Sequence, residues 1–410
     1  MNPTSTATNS RIGKSLQKPP AVKRIESIDL LRGLVMVIMA LDHTRDYFHK
    51  GAFLFNPEDL AQTNIILFLT RWITHFCAPV FVLLAGVSAY LYGAKRSRKE
   101  LAVFLLTRGI WLVIAELFII SLFRTFNPAY HFFNLQVIWA IGISMIVLSA
   151  MIYMKRQYIL LVGILLVAAH NVLDNVHVLS GNGLSFFWSV LHEPAYFTLG
   201  PVVFHVHYPV LPWIGIMAIG YCLGSLYVSD FNPATRKRIL LYIGFCAIAL
   251  FVILRAGNVY GDAAAWSVQR NTIYSLLSFL NVTKYPPSLD YILITLGPAL
   301  IFLSLAEKPL TALTNKLAVF GRVPMFYYMA HILLIHLFAV IGVVVSGHKW
   351  SDMVLTSMVQ RQPELRNYGF NLAIVYAVWM AVVLILYPFC RSFDRYKRAN
   401  LATKRWLSYL

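Results

Sequence analysis

The sequence predicts an all-α membrane protein, a polytopic bundle of about ten transmembrane helices, and three observations support this fold class. Of the 410 residues, 59% are hydrophobic and only 13% are charged, whereas a soluble domain carries about 25% charged residues. The apolar residues form runs long enough to cross a bilayer, and most basic residues lie between these runs. The low charged fraction excludes a soluble fold, and the high hydrophobic fraction excludes a disordered chain. With only four Cys in the chain, a secreted disulfide scaffold is excluded as well.

The apolar runs divide the chain into one large domain and two tails. Residues 25–392 form the predicted transmembrane domain. Residues 1–24 are polar, lack a signal-peptide pattern and are predicted to be a disordered cytoplasmic tail, and residues 393–410 form a basic cytoplasmic tail. The predicted spans are 27–47, 65–92, 101–123, 135–153, 158–174, 208–228, 238–255, 288–306, 318–345 and 371–390.

The formal net charge of +18 is explained by topology. Most Lys and Arg residues fall in alternate connections between the spans, and such residues stay in the cytoplasm during insertion. The sequence therefore predicts a multi-pass protein of the inner cell membrane with both termini in the cytoplasm. Anionic lipid headgroups are the expected partners of this charge, and nucleic acid is not.

The first span carries charged residues that need a reason to lie in a membrane. Asp29 and Arg32 are one helical turn apart and can pair. Arg32 and His43 are eleven residues apart, so they share a helix face at a separation of about 16 Å. This arrangement suits acyl transfer: a cation binds a phosphorylated acyl donor, and a histidine acts as general base or acyl carrier. Alternatively, Arg32 contacts lipid headgroups and His43 only forms hydrogen bonds at the interface.

Other polar residues of the spans extend this candidate site. Of the two acids near His43, Asp46 is one turn away and is expected to orient the ring better than Asp42. In the second span, Arg71 and His75 are four residues apart on one face. They could polarise the acyl carbonyl group or hold the acceptor.

Further cations and histidines occur at the third and ninth predicted spans. Arg108 and Arg322 lie at the cytoplasmic boundary, where donor binding and headgroup contact are equally consistent with the sequence. His331 and His336 are five residues apart and do not share a helix face. No residues have metal-ligand spacing, so no metal site is expected.

Four connections on the predicted outer side are unusually long, and they could form a lid or an acceptor-binding surface. Short interfacial helices within an aromatic belt are an equal alternative. These connections are 48–64, 175–207, 256–287 and 346–370.

Six short motifs carry a resemblance to a known family. They are Ser-Ile-Asp-Leu-Leu-Arg-Gly (27–33), Leu-Asp-His (41–43), Phe-Cys-Ala-Pro-Val-Phe-Val-Leu-Leu-Ala-Gly (76–86), Leu-Gln-Val-Ile-Trp-Ala-Ile-Gly (135–142), Leu-Pro-Trp-Ile-Gly (211–215) and Gly-Arg-Val-Pro-Met-Phe-Tyr-Tyr-Met-Ala-His (321–331). In this order they resemble bacterial membrane proteins related to heparan-α-glucosaminide N-acetyltransferase. The resemblance covers most of residues 25–390.

The resemblance implies an enzyme that takes an acyl group, usually acetyl, from cytosolic acetyl-CoA and delivers it across the membrane to a sugar. In the eukaryotic enzyme an Asn takes the place of His43, and the essential histidine follows the first span, near His49. The spacing of Arg32 and His43 is also similar to that in membrane acyltransferases that acetylate surface glycans. These two comparisons leave two candidates, and His43 is preferred because it shares the face of Arg32.

The sequence therefore predicts an integral-membrane acyltransferase that moves an acyl group from acyl-CoA to an extracytoplasmic sugar or small-molecule acceptor. The co-substrate is acetyl-CoA or another acyl-CoA, without a metal. The alternative is a proton-coupled transporter or flippase, which would favour internal repeats. The candidate catalytic residues are His43, His75, Arg71 and His49, and the candidate substrate-binding residues are Asp29, Arg32, Arg108, Arg322 and His331.

Overall fold

The structure is a computed structural model that describes residues 25–178, 183–401 and 403–408. The predicted tail at 1–24 lies outside these residues. The described chain is mostly helical and forms fifteen α-helices and one small sheet. The helices are α1 Glu26–Phe48, α2 Ile65–Trp72, α3 Cys77–Gly93, α4 Arg98–Ile114, α5 Ser121–Thr125, α6 Val137–Met151, α7 Arg156–Ala168, α8 Gly183–Leu191, α9 Leu211–Leu223, α10 Pro233–Gly257, α11 Thr272–Leu280, α12 Leu289–Leu305, α13 Ala312–Arg322, α14 Pro324–Val345 and α15 Leu372–Asn400.

Five helical segments within the described residues are long and apolar enough to cross a membrane. Four further apolar helices are shorter, so the count of ten spans stays a prediction. The first helix has the length to span a bilayer, but charged residues lie in the first turns and in the last turns of it, which leaves a shorter uncharged stretch between Arg32 and Asp42. The five segments are Ile65–Gly93, Arg98–Thr125, Pro233–Gly257, Pro324–Val345 and Leu372–Asn400, and the shorter ones are Val137–Met151, Arg156–Ala168, Leu211–Tyr227 and Leu289–Leu305.

Large apolar side chains are exposed along the outward faces of α4 and α10. On α10, Phe245 is 59% and Ile253 is 68% exposed, and on α4, Val103 is 52% exposed. A soluble protein rarely exposes such continuous apolar faces, whereas lipid covers them in a membrane protein. The fold and composition together describe a helical membrane protein.

The ninth predicted span, 318–345, is two helices in the structure. Helix α13 ends at Arg322 and α14 begins at Pro324, with Val323 between them at φ −129° and ψ 52°. Proline lacks a backbone N–H and disfavours helical dihedrals in the residue before it, and both properties favour a helix start at Pro324. The last predicted span also differs, because α15 continues ten residues beyond 390 to Asn400.

A three-stranded sheet is the departure from an all-α fold. Strand β1 (Phe132–Leu135) pairs in parallel with β3 (Val202–Val206), and β3 pairs antiparallel with β2 (Ala195–Leu199). The β2–β3 turn contains Gly200 at φ +58°, a dihedral that suits glycine. The sheet joins the segment after α5 to part of the long connection at 175–207.

The packing of α1 against α13 depends on two glycines that face each other. A Cβ atom on Gly33 would overlap the carbonyl oxygen of Leu317, and one on Gly321 would overlap the carbonyl oxygen of Asp29. Small residues allow helix backbones in membranes to approach this closely. The close approach also lets the Arg32 guanidinium donate to the Gly321 carbonyl oxygen at 3.0 Å.

Candidate functional site

The C-terminal end of α1 holds a chain of hydrogen bonds centred on His43. Its Nδ1 lies 2.8 Å from Nε2 of His331 on α14, and its Nε2 lies 3.2 Å from an Nη atom of Arg124 on α5. The same Nη donates to the hydroxyl group of Tyr328 at 3.2 Å. His331 Nδ1 lies 2.9 Å from the carbonyl oxygen of Tyr327. We call His43, Arg124, Tyr328 and His331 the His43 cluster.

The partners at the two ends of this chain assign the tautomers of both rings. A guanidinium can only donate, so Nε2 of His43 carries a lone pair and Nδ1 carries the hydrogen. That hydrogen is donated to Nε2 of His331. The Nδ1 hydrogen of His331 is then donated to the Tyr327 carbonyl oxygen, which can only accept. Both ends give the same answer: His43 is a neutral base whose Nε2 lone pair faces Arg124.

Local backbone features place Arg124 beside His43. The helix that begins as α4 is interrupted by a π-helical turn at Ala115–Ile120 before α5 continues it, and such turns are frequent at functional sites. Phe126, at φ +50°, ends α5 directly after the turn that carries Arg124. The Tyr47 hydroxyl group of α1 donates to the Arg124 carbonyl oxygen at 2.5 Å. The arginine is therefore attached to α1 through its backbone as well as its side chain.

A network of carboxylates lies beside the His43 cluster. Arg71 contacts both Asp42 oxygens at 2.7 and 3.0 Å and donates to Glu58 at 3.2 Å. Arg45 pairs with Asp42 at 2.9 Å, and His75 Nε2 lies 2.6 Å from Glu58. Arg71 and His75 thus connect the end of α1 to the segment that contains Glu58. We call these five residues the carboxylate network.

Glu58 lies between the predicted spans, and its protonation follows from its partners. Burial raises the pKa of this carboxyl group, but the Arg71 guanidinium and the hydrogen bond from His75 outweigh burial and hold it well below its ordinary value. Glu58 is therefore ionised at neutral pH and accepts the proton of His75 Nε2.

The N-terminal end of α1 holds a separate group of ion pairs. Arg32 pairs with Asp29 at 3.3 Å, as their spacing predicts, and donates to Ser88 Oγ at 3.1 Å. Arg322 lies 3.8 Å from both Asp29 and Asp394. We call Asp29, Arg32, Arg322 and Asp394 the Arg32 cluster.

The structure brings together some of the predicted site residues and separates others. His331 joins His43, and Arg322 joins Asp29 and Arg32. The guanidinium carbon of Arg108 lies 5.8 Å from the Phe104 ring centroid. His49 accepts a hydrogen bond from the Gly51 backbone N–H at 3.2 Å and lies in a bridge to Phe370.

The expectation that Asp46 orients His43 is wrong. Asp46 pairs with Arg45 at 2.7 Å, because that arginine lies next to it and faces the same side. The His43 Nδ1 atom that an acid would have contacted is bonded to His331 instead. His331 and His336 do face different neighbours, since His336 contacts the carbonyl oxygens of Phe123 and Met353.

Arg124, Tyr328 and Glu58 are site residues that the sequence did not indicate as such. Arg124 directly follows the third predicted span, where it is one of many basic residues near a span end. Its position eight residues, about two helical turns, after a buried acid of that span, Glu116, was the available signal. Glu58 lies in a connection and had no helical periodicity to link it to Arg71 and His75.

A small polar cavity of about 50 Å³ opens beside Arg124, enough for a few water molecules. Its wall joins the end of α1, the α5–β1 segment and the connection near residue 358. The lining residues include Asp46, Tyr47, Arg124, Asn134, Gln136 and Gln360. In the described residues, no group of three or more His, Cys, Asp or Glu side chains is arranged to hold a metal ion.

The fold and this site define a helical membrane protein with a neutral, hydrogen-bonded histidine among cations. The chain belongs to the heparan-alpha-glucosaminide N-acetyltransferase family: residues 24–255 match the model of this family's catalytic region, more than half of the chain. The resemblance seen in the sequence motifs is therefore confirmed, and the family is one of membrane acyltransferases. No curated protein matches the chain. The family match includes His43 and Arg124 and ends before His331.

Proposed function

We propose that this protein transfers an acyl group, in the first instance acetyl, from acyl-CoA to an amine or hydroxyl group of a sugar or related acceptor. The acyl-CoA enters from the cytoplasm, and the acceptor is on the opposite side of the inner membrane. The observation that carries the proposal is the lone pair of His43 Nε2, which the hydrogen-bond chain holds on the side of Arg124.

His43 is the general base of the proposed reaction. When the acceptor displaces Arg124 from Nε2, this nitrogen takes the proton of the attacking amine or hydroxyl group. The acceptor atom bonds to the thioester carbonyl carbon, the carbon–sulfur bond breaks, and the leaving thiolate receives the proton from His43. His331 keeps the hydrogen of His43 on Nδ1, so that Nε2 is always the reacting nitrogen.

Arg124 supplies positive charge beside the reacting atoms. In the described chain it has no carboxylate within 4.0 Å, and its hydrogen bonds go to the neutral groups of His43 and Tyr328. A guanidinium without a carboxylate partner is available to the departing thiolate. Stabilisation of charge that develops during the reaction is often the largest catalytic effect.

The remaining predicted site residues are assigned by their contacts. Arg71 and His75 each contact a carboxylate, and we assign both to positioning the end of α1. Asp29 pairs with Arg32 and Arg322, and Arg322 also pairs with Asp394 of α15. We assign Asp29, Arg32 and Arg322 to holding α1, α13 and α15 together near the donor entrance. Arg108 and His49 remain candidates for donor binding and for an alternative base.

The sheet beside the site suits a sugar acceptor. Phe133 of β1 stacks on Phe204 of β3 with ring centroids 5.2 Å apart, and Tyr196 of β2 stacks on His205 at 3.9 Å. Asn134 of β1 lines the cavity at Arg124. Aromatic faces and amide groups at the mouth of a cavity offer the apolar and polar contacts of a ligand site.

The test uses the purified protein in detergent with radiolabelled acetyl-CoA and glucosamine as acceptor. We expect label transfer by the wild type, a loss of roughly 10²–10⁴-fold in His43→Ala, the range for removal of a general base, and little change in the matched variant His49→Ala. Thermal unfolding checks that both variants fold. Retained transfer in His43→Ala with loss in His49→Ala would reverse the assignment.

The transporter alternative has its own readout. If the wild type neither hydrolyses acetyl-CoA nor transfers its label, yet drives proton-coupled uptake in vesicles, the protein is a carrier and the proposal fails.

A further inference from the structure

A buried lysine that lies outside the family-matched region completes the group of cations around His43. Lys284, in the connection between α11 and α12, is only 6% exposed. No carboxylate of the described residues lies within 4.0 Å of its ammonium group, whose nitrogen is 5.3 Å from the centroid of its neighbour Tyr285. A buried charge without a counter-ion is costly and marks a functional position.

The acids that interact with Lys284 make their hydrogen bonds to other side chains. Its ammonium interacts electrostatically with Asp42 and Glu58 and also with His43. Asp42, however, is held by Arg71 and Arg45, and Glu58 is held by Arg71 and His75. Lys284 therefore contributes positive charge to the site without a carboxylate of its own.

The backbone around Lys284 is fixed by hydrogen bonds to its flanking residues. Asp262 accepts from the Thr283 backbone N–H at 2.7 Å and from the Ser288 hydroxyl group at 2.6 Å. Arg255 donates to the Asn281 carbonyl oxygen at 2.5 Å, and the Asn281 side chain donates to the Glu58 carbonyl oxygen at 3.0 Å. A lysine on such a restrained segment presents its charge at a defined position.

Aromatic rings stand beside this ammonium on the side of the sheet. His207, which follows β3, stacks against Tyr285 with ring centroids 3.9 Å apart, and it also interacts electrostatically with Lys284. His207 itself is half-buried.

We propose that Lys284 forms an anion-binding subsite beside the carboxylate network, where its ammonium holds an anionic oxygen of the acyl-transfer substrates. This inference rests on the proposed function. The anionic oxygen has two sources of the same chemistry: the acyl carbonyl oxygen, which becomes negative when the acceptor attacks, or a carboxylate or phosphate group of the acceptor. In either case Lys284 provides charge and exchanges no proton.

Anion binding is tested without any acyl transfer, by thermal unfolding at constant ionic strength with acetate in place of chloride. We expect acetate to raise the Tm of the wild type and of Lys284→Arg, and not that of Lys284→Met. The matched control, Lys316→Met, removes an exposed lysine of α13 and should respond as the wild type does. Equal acetate responses in all four proteins would overturn the proposal.

The Tm without acetate separates an anion site from a structural role. Because Lys284→Met removes an unpaired buried charge, we expect its Tm to equal or exceed that of the wild type. If both Lys284→Met and Lys284→Gln lower the Tm or prevent folding, the ammonium supports the fold and the subsite is rejected.

Kinetics identify the source of the anion. Three acceptors are compared. Glucosamine carries no anionic group, glucosamine 6-phosphate carries a phosphate, and muramic acid carries a carboxylate. A fall in kcat of roughly 10²-fold for all three in Lys284→Met, partly restored in Lys284→Arg, assigns the carbonyl oxygen. A higher KM for the two acidic acceptors alone assigns the acceptor's own charge.

Failure of this inference is distinguishable from failure of the proposed function. Unchanged kcat and KM for all three acceptors in Lys284→Met would reject the subsite while leaving acyl transfer intact. If the wild type transfers no acetyl group, the proposed function fails, and the acetate effect on Tm still decides whether Lys284 binds an anion.

Discussion

The two ends of α1 use the same kinds of residue in opposite ways. At its N-terminal end, Asp29 pairs with both Arg32 and Arg322, and Arg322 also pairs with Asp394, so acids and bases are matched. At its C-terminal end, a neutral histidine lies between a second histidine and Arg124, and the acids are taken by other arginines. One end is a set of closed ion pairs, whereas the other keeps cations available.

This difference supports the proposed position of the reaction at the C-terminal end of α1. Matched ion pairs hold helices in register, and their charges are already neutralised before a substrate arrives. Unpaired cations beside a neutral base cost stability, and they are useful only where negative charge arrives or develops. We therefore expect substitutions at the two ends to affect different quantities, activity at the C-terminal end and stability at the N-terminal end.

After His43→Ala, the largest expected effect is that of Arg124→Gln. The side chain keeps a donor and loses its charge, so kcat should fall roughly 10²–10³-fold, the range for the loss of one group that stabilises developing charge. Arg124→Lys should recover part of this loss. Acetyl-transfer rates at saturating acetyl-CoA measure the effect, and Tm within a few degrees of the wild type confirms the fold. An unchanged kcat would contradict the expectation that substitutions at the C-terminal end of α1 affect activity.

A smaller effect is expected at the other end, in Asp29→Asn. Removing one partner of a buried ion pair leaves Arg32 without its carboxylate, and the free energy of unfolding should fall by about 3 kcal/mol. The folded protein should retain its kcat. Denaturant titration measures the free energy of unfolding, and initial rates measure kcat. A tenfold rise in KM for acetyl-CoA with unchanged stability would instead assign Asp29 and Arg32 to donor binding.

The smallest effect, in Glu58→Gln, sharpens the comparison within the carboxylate network. Because the pKa of Glu58 is lower in the folded protein than in the unfolded chain, ionised Glu58 stabilises the fold above the unfolded pKa of about 4.3. That contribution is lost as the pH falls below this value towards the folded pKa.

We therefore expect Glu58→Gln to be destabilised by about 2 kcal/mol at pH 7, since a charged hydrogen-bond partner is lost. The difference from the wild type should shrink between pH 5 and pH 3, as the unfolded carboxyl group titrates near its ordinary value. The Tm of both proteins, measured across this pH range, tests whether the difference shrinks. A constant difference at every pH would show that Glu58 acts through packing and not through its charge.

Local spacing could predict the features that lie within one helix. The Asp29–Arg32 pair follows from a separation of three residues, and the apolar runs predict the long helices. The break before α14 was missed: Pro324 favours a helix start, but Pro298 and Pro388 lie inside α12 and α15, so a proline alone does not locate a break. The family match over residues 24–255 includes five of the six motifs, those between residues 27 and 215, and confirms the family that they indicated.

The contacts that define the candidate site join residues distant in sequence, and no local pattern contains them. His43 and His331 are 288 positions apart, and His43 and Arg124 are 81 apart. A neighbouring acid was expected to orient His43, but tertiary packing places His331 at that nitrogen. The sheet was missed because its strands are short and lie in connections without clear alternation.

The interruption at Val323 has a consequence for how the protein can change. Arg322 and His331 belong to α13 and α14, and the residue between these helices has non-helical dihedral angles. A rotation of one helix about its axis is therefore not passed rigidly to the other. In the proposed function, substitutions at the donor entrance can therefore arise in related sequences without disturbing the pair of His43 and His331, so that the acyl donor differs while the proposed base is kept.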